Sequence, residues 1–325
     1  MYTALEKKQF FCVLFLKHIF TGKTGGRVHS TIEKAYAKIN LALHIEGRRP
    51  DGYHLLSMVM QTVDLYDSIE IRQLNDTSDI SMDMDFGGRD TDENISCGGD
   101  NLCVKAARLI CSELPESHGY HMHLVKNIPS AAGMAGGSSD AAAVLRGINK
   151  LEGGYFPKKK LLEMAVKLGA DVPFCIDGGL CVCKGIGEIL TPIESKFDPL
   201  LLLAKPYDGV STPAAYKYFD ENPVTAPGHF SKLVDGLRSD DHGLILSNLH
   251  NDLEDASKHF CPVISQIEDV MMRNGALAAK VTGSGPTVYG IFENEDDRAG
   301  ASKELQAASL AADIISTGFI RPDYQ

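Results

Sequence analysis

Residues 126–140 read Lys-Asn-Ile-Pro-Ser-Ala-Ala-Gly-Met-Ala-Gly-Gly-Ser-Ser-Asp and run without a break into Ala141–Asn149, a good helix-forming segment. No other feature limits the fold so sharply. Gly133, Gly136 and Gly137 let main-chain N–H groups turn toward an anion with no Cβ in the way. The helix behind them adds unsatisfied N–H groups and the positive end of its dipole. The junction predicts a phosphate cradle formed by Pro129, Ser130, Ala131, Ala132, Gly133, Met134, Ala135, Gly136, Gly137, Ser138 and Ser139; a flexible turn before a helix is the alternative. The common P-loop is excluded, because no Gly-Lys-Ser/Thr follows the glycines. The chain's one Gly-Lys-Thr, Gly22 to Thr24, has Lys17 where that motif needs its first glycine.

A chain of 325 residues suits one large or two fused domains. Its 32 basic and 43 acidic residues give a net charge of −11. Residues 1–32 hold five Lys/Arg and one Glu, so the rest is more acidic still. Such a body is a poor partner for nucleic acid. An anionic substrate must be met by local donors. The eight cysteines follow no framework spacing, which predicts reduced thiols and a cytoplasmic protein. Cys181 and Cys183 alternate along an apparent strand without a second ligand pair, and no metal site is assigned to cysteine.

Residues 1–32 form an N-terminal extension. Its apolar run Phe10–Leu16 is too short for a membrane span of about 20 residues. Lys7 and Lys8 mimic a signal peptide, but no small-x-small cleavage site follows. An organelle transit peptide, which would imply a plastid-type compartment, and a misplaced start with Val28 as initiator both remain open; the misplaced start is preferred.

The body alternates strands and helices. Lys34–Ile45 alternates apolar and polar residues as a half-buried strand does, and structure is expected from about Glu33. Ser57–Leu65 and Ser68–Arg72 read as further strands, and Asn75–Asp100 as a long polar excursion. Asn101–Cys111 is spaced helically. His121–Val125 is a strand with both histidines on one face, a solvated face rather than a metal site. Lys158–Leu168 is an amphipathic helix stopped by Gly169. A second half starts near Pro192–Pro199 with the buried strand Leu200–Ala204. It continues with a helix over Ser257–Asn274, a strand–glycine turn–strand over Ala278–Phe292, a helix over Arg298–Ser309 and a strand over Asp313–Thr317. This order predicts an α+β enzyme of two lobes, residues 33–191 and 192–325, with a cleft between them.

Four more stretches join the glycine loop: Ala37-Lys38-Ile39-Asn40-Leu41, Asp51-Gly-Tyr-His54, Gly169-Ala-Asp-Val-Pro-Phe174 and Thr282-Gly-Ser-Gly285. Together, in order from about Glu33 to Thr317, they resemble the GHMP kinase superfamily. Within it they resemble the family that phosphorylates a cytidine diphosphate-linked methylerythritol in the non-mevalonate isoprenoid pathway. The resemblance implies a two-lobed GHMP kinase fold, an N-terminal ATP-binding lobe, a C-terminal substrate lobe, ATP and Mg²⁺ as cofactors, and small-molecule partners only. It implies no nucleic acid, no membrane, and a monomer or weak dimer.

The resemblance also implies roles. Loop N–H groups hold the triphosphate, with Ser138 or Ser139 able to reach phosphate or Mg²⁺, whose ligands stay open. Asp171 orients or deprotonates the acceptor hydroxyl, although taken alone it reads as a turn carboxylate. Lys38 partners Asp171, and Asn40, two residues on and so on the same strand face, meets substrate hydroxyls. Tyr53 and His54 bind the nucleobase, and Tyr216, with Tyr218 as the alternative, closes over it. Thr282–Gly285 makes a tight turn beside the phosphate loop. Two rival readings stand: a homoserine-, mevalonate- or galactose-type kinase, in which Asp51–His54 loses its nucleobase role, and a catalytically silent ligand sensor.

Overall fold

The computed structural model describes residues 29–324 except Asp76, 88–94, Ser117 and 225–227. The features Phe10–Leu16, Gly22–Thr24 and Val28 lie outside the described residues.

Among the described residues the first strand starts at Ser30, three residues before the expected Glu33. Strands β1 (Ser30–Arg48) and β2 (His54–Leu74) form one long antiparallel ladder. The two strands expected within 57–72 are thus one strand, because the polar residues between them stay in the ladder and Asp67 is fully buried. The excursion after β2 holds another strand, β3 (Ile80–Asp85), which pairs parallel with β4 (Gly119–Val125). Its alternation Ile80-Ser-Met-Asp-Met-Asp85 is the signal for it, hidden by the acidic surroundings. Helix α1 (Leu102–Ser112) starts where Asn101 accepts a hydrogen bond from the Cys103 N–H.

Helices α2 (Gly136–Leu151), α3 (Lys158–Leu168) and α4 (Val172–Asp177) follow, then strands β5 (Leu180–Gly185) and β6 (Ile189–Pro192). The first sheet runs β3-β4-β2-β1-β8, with β5 and then β6 attached to the other half of the β2 edge. β4 takes Ser68–Leu74 of β2 and β5 takes Leu56–Gln61, so a strand of 21 residues serves two neighbours on one edge.

The second half opens with β7 (Leu200–Lys205), then α5 (Thr212–Glu221), α6 (His229–Ser239), α7 (His242–Ser247) and β8 (His250–Asn251). Where one helix was expected over 257–274 there are two, α8 (Glu254–Phe260) and α9 (Val263–Arg273). Pro262 divides them: it has no N–H to donate, and it forces Cys261 out of helical geometry. Strands β9 (Ala278–Val281) and β10 (Val288–Phe292) flank the glycine turn. Helix α10 (Glu295–Ala307) starts earlier than expected because Asn294 caps the Asp297 N–H and three acidic residues fill its first turn. With β11 (Asp313–Gly318) the second sheet is fully antiparallel, in the order β11-β7-β10-β9.

The two halves of the sequence interlock. β8 lies parallel to β1 at Ala42 and Leu43, and the tail returns to β2 through a Val63–Phe319 bridge and an Ile320 N–H to Thr62 carbonyl bond. Among the described residues no helix is long and apolar enough to cross a membrane.

Candidate active site

The phosphate loop is held by its neighbours rather than by a capping side chain. Ala135, at the N-cap of α2, has positive φ and no side chain to offer the first turn. The N–H groups of Gly136, Gly137 and Ser138 have no intrahelical acceptor, which leaves them for a ligand. Gly133 has φ +72°, and a Cβ there would collide with the Thr282 carbonyl oxygen. The turn Thr282–Gly285 therefore packs backbone against backbone on the phosphate loop. The Met134 carbonyl accepts from the Lys38 N–H at 3.1 Å.

Ser138 and Ser139 part ways. Ser138 faces the cavities on both sides of the loop. Ser139 is buried, its hydroxyl donates to the Tyr36 carbonyl at 2.6 Å, and its N–H is bonded to Ala135. Ser139 is turned to β1 and lines neither cavity, so of the two serines Ser138 is the one placed toward a phosphate or a metal.

Beneath the loop, Lys126 is buried between two carboxylates. Its Nζ lies 2.9 Å from Asp140 Oδ2 and also donates to Asp67, whose other oxygen accepts the N–H groups of Asn127 and Ile128. Burial pushes the Asp140 carboxyl up, Lys126 opposes this, and Asp67 adds to it. The Lys126 ammonium would fall on burial, but Asp140 and Asp67 hold it above its ordinary value. This triad ties β2, the loop and the N-terminal half of α2 together. Sequence reading missed it; Lys126 at the polar end of an apolar strand was the one available signal.

Two cavities meet at the loop. One, of about 500 Å³, is walled by residues 129–138, Lys126, Asp140 and Ile95–Leu102 residues. The other, of about 780 Å³, is lined by Lys38, Asn40, Tyr53, His54, Asp171 and Tyr216 among others. Gly133, Ala135 and Ser138 border both.

Lys38 and Asn40 reach the second cavity through irregularities in β1. Register shifts fall between Tyr36 and Lys38 and between Asn40 and Ala42, and such bulges re-aim side chains. Ala37, Ile39 and Leu41 enter the core while the two polar residues face the cleft. Lys38 Nζ donates to Asn40 Oδ1 at 2.8 Å and the Gly133 carbonyl at 3.1 Å, and lies 3.6 Å from Asp171 Oδ2. Asp171 occupies the N-cap of α4 but makes no capping side-chain bond. It stands in a turn, as its local sequence reads, with its carboxylate facing Lys38. The Asn40 oxygen is already taken by Lys38, and its Nδ2 points at Met58 Sδ, 3.5 Å away.

At the far end, the His54 and Tyr216 rings stack with centroids 4.6 Å apart. Burial, with Asp171 nearby, raises the Tyr216 phenol above its ordinary range. Tyr53 is 61% exposed and has no ring partner among the described residues. Tyr218 instead stacks on His259 at 4.5 Å and lines neither cavity. Asp220 and Arg48, which sequence reading did not single out, join this end; nothing in their local sequence distinguishes them from surface charges. His121 and His123 share one strand face, as expected, where they pair with Asp83 and Asp85.

The fold and the loop define a class. The family description "GHMP kinases N terminal domain" matches residues 101–179, and "GHMP kinases C terminal" matches residues 233–310. A homoserine kinase structure from Cytophaga hutchinsonii, 18% identical, aligns with a TM-score of 0.73 over 93% of this chain and 98% of its own, a likeness of fold. A crystal structure of 4-(cytidine 5'-diphospho)-2C-methyl-D-erythritol kinase, 25% identical, aligns with a TM-score of 0.71 over 89% of this chain and 99% of its own. The 4-diphosphocytidyl-2-C-methyl-D-erythritol kinase of Clostridium perfringens (strain 13 / Type A) is 43% identical over 80% of this chain and 88% of its own length. That of Caldicellulosiruptor saccharolyticus is 41% identical over 85% and 92%. This chain belongs to the 4-diphosphocytidyl-2-C-methyl-D-erythritol kinase family.

Proposed function

We propose that the chain transfers the γ-phosphoryl group of ATP to the 2-hydroxyl of 4-diphosphocytidyl-2-C-methyl-D-erythritol, giving the 2-phosphate and ADP. The observation that carries this reading is the Lys38–Asp171 pair, 3.6 Å apart, where the two cavities meet beside Gly133. Phosphoryl transfer asks mainly for positioning and charge stabilisation. The N–H groups of Gly136–Ser138 bind the triphosphate in the first cavity. Asp171 accepts the proton of the acceptor hydroxyl or orients it. Lys38 faces that carboxylate and meets the charge developing on the transferred group. Asn40 fixes the lysine through its oxygen, turns one Nδ2 hydrogen toward Met58 and keeps the other for a substrate hydroxyl.

Tyr53 stacks on the nucleobase and His54 reads its edge. Tyr216 stacks on His54 and closes over the base beside it. The lobes are residues 33–191 and 192–325, with β8 and the tail crossing back to the first sheet. One copy supplies every residue in this reading, in keeping with a monomer or weak dimer.

Among the described residues no group of three His, Cys, Asp or Glu converges on a metal position. Mg²⁺ takes most of its oxygens from phosphate and water and few from protein; Ser138, bordering both cavities, is its candidate protein ligand. When bound, the ion would supply positive charge against the transferred phosphates.

The test is ADP release by the purified chain with ATP, Mg²⁺ and the cytidyl substrate, run beside mevalonate, homoserine and galactose. Turnover confined to the cytidyl substrate supports the proposal. Turnover only with another acceptor removes the base-binding role of Tyr53 and His54, and no turnover with any of them favours a silent ligand sensor.

A further inference from the structure

At the aromatic end of the larger cavity, one carboxylate reaches across the cleft. Asp220, on α5, places Oδ1 2.8 Å from His54 Nε2 and Oδ2 3.1 Å from Arg48 Nη1. His54 and Arg48 face each other in register at the turn end of the β1–β2 hairpin. Asp220 thus joins a hairpin of the first half to a helix of the second.

The chemistry of this contact fixes more than position. A carboxylate beside a guanidinium has only acceptors to offer. The His54 nitrogen that faces it, Nε2, therefore carries the proton. In a neutral imidazole the other nitrogen is then an acceptor. His54 Nδ1 makes no hydrogen bond among the described residues, and the ring lines the cavity. Stacking on Tyr216, with 21° between the ring planes, holds the imidazole in a set orientation. An acceptor in a fixed plane accepts an amino group and repels a carbonyl oxygen.

We propose that Asp220 is a positioning residue for base selectivity. By accepting the His54 Nε2–H it presents Nδ1 as a fixed acceptor, which takes the exocyclic amine of cytosine and rejects the carbonyl that uracil carries there. The inference rests on the nucleobase role proposed above for His54. A clasp that only held hairpin and helix together would tighten binding of either base alike.

Those two roles separate in a binding ratio. Dissociation constants for CDP and UDP are measured by calorimetry at pH 8, above the ordinary imidazole range, on the wild type, Asp220→Asn and Asp220→Ala. The wild type is expected to prefer CDP by roughly 10- to 100-fold, the cost of leaving one buried polar group unpaired. Asn can offer Nε2 either a donor or an acceptor, and Ala offers neither, so both tautomers become available. The preference is expected to collapse to within about 3-fold in both variants. Variants that weaken CDP and UDP equally and keep the wild-type ratio would overturn the role of Asp220 alone. A wild type that binds both equally would overturn the base-reading role of His54, and the inference with it.

Discussion

Replacing Lys126 by Met tests whether the buried triad holds the phosphate loop by charge. Met fills about the same volume, so packing changes little. What changes is the charge: Asp67 and Asp140, both buried, lose the ammonium that lies between them. Burial already pushes the Asp140 carboxyl up, and without the ammonium folding must take up one more proton than in the wild type. For a carboxyl that ionises near 3.9 when unfolded, holding that proton at pH 7 costs about 4 kcal/mol, and at pH 5 about 1.5 kcal/mol. The neutral-pH figure agrees with the roughly 3–5 kcal/mol that breaking a buried ion pair removes. The sign follows from linkage. The folded variant binds more protons than its unfolded chain, so its deficit is largest at high pH and shrinks as pH falls toward the unfolded value. Urea unfolding of wild type and variant at both pH values is the assay, with ATP affinity measured at pH 7. Lys126→Met combined with Asp140→Asn is expected to recover most of the loss, because the proton is no longer needed. A deficit below about 1 kcal/mol, or one that does not change between pH 7 and pH 5, would refute the reasoning.

Asp171→Asn is expected to lower kcat by about 10²- to 10⁴-fold with both KM values nearly unchanged, checked by steady-state kinetics; equal losses in KM would make it a binding group. Gly133→Ala should abolish ATP binding and destabilise the fold, since the Cβ meets the Thr282 carbonyl and φ is +72°; isothermal calorimetry and a thermal melt read both. Ser139→Ala should cost about 1 kcal/mol of stability with the KM for ATP unaltered, because its hydroxyl serves Tyr36. Ser138→Ala should do the reverse, raising the KM for ATP and leaving the melt in place.

The sequence and the structure agree best where one local pattern settles the matter. The loop-to-helix junction at Gly133–Ser138, the buried strand at Leu200–Ala204 and the helix over Lys158–Leu168 could be read directly. Boundaries failed where neighbours decided them. Pro262 split an amphipathic run whose periodicity looked continuous, and β3 formed inside an acidic stretch because β4 lay beside it to pair with.

By itself the chain determined the chemistry available to it: glycines before a helix, a lysine on an apolar strand, a carboxylate ahead of Val-Pro, an aromatic pair after a turn. Each depends on residue type and on spacing within a few positions, which local backbone geometry converts into structure. Only the tertiary structure decided which groups meet. It set Lys38 3.6 Å from Asp171, 133 positions later in the chain, turned Ser139 inward while leaving Ser138 in the cavity, backed His54 with Tyr216 rather than Tyr218, and buried Lys126 between Asp67 and Asp140. These pairings depend on sheet register, bulges and the crossing of β8 and α5 to the first half, which residue spacing does not encode.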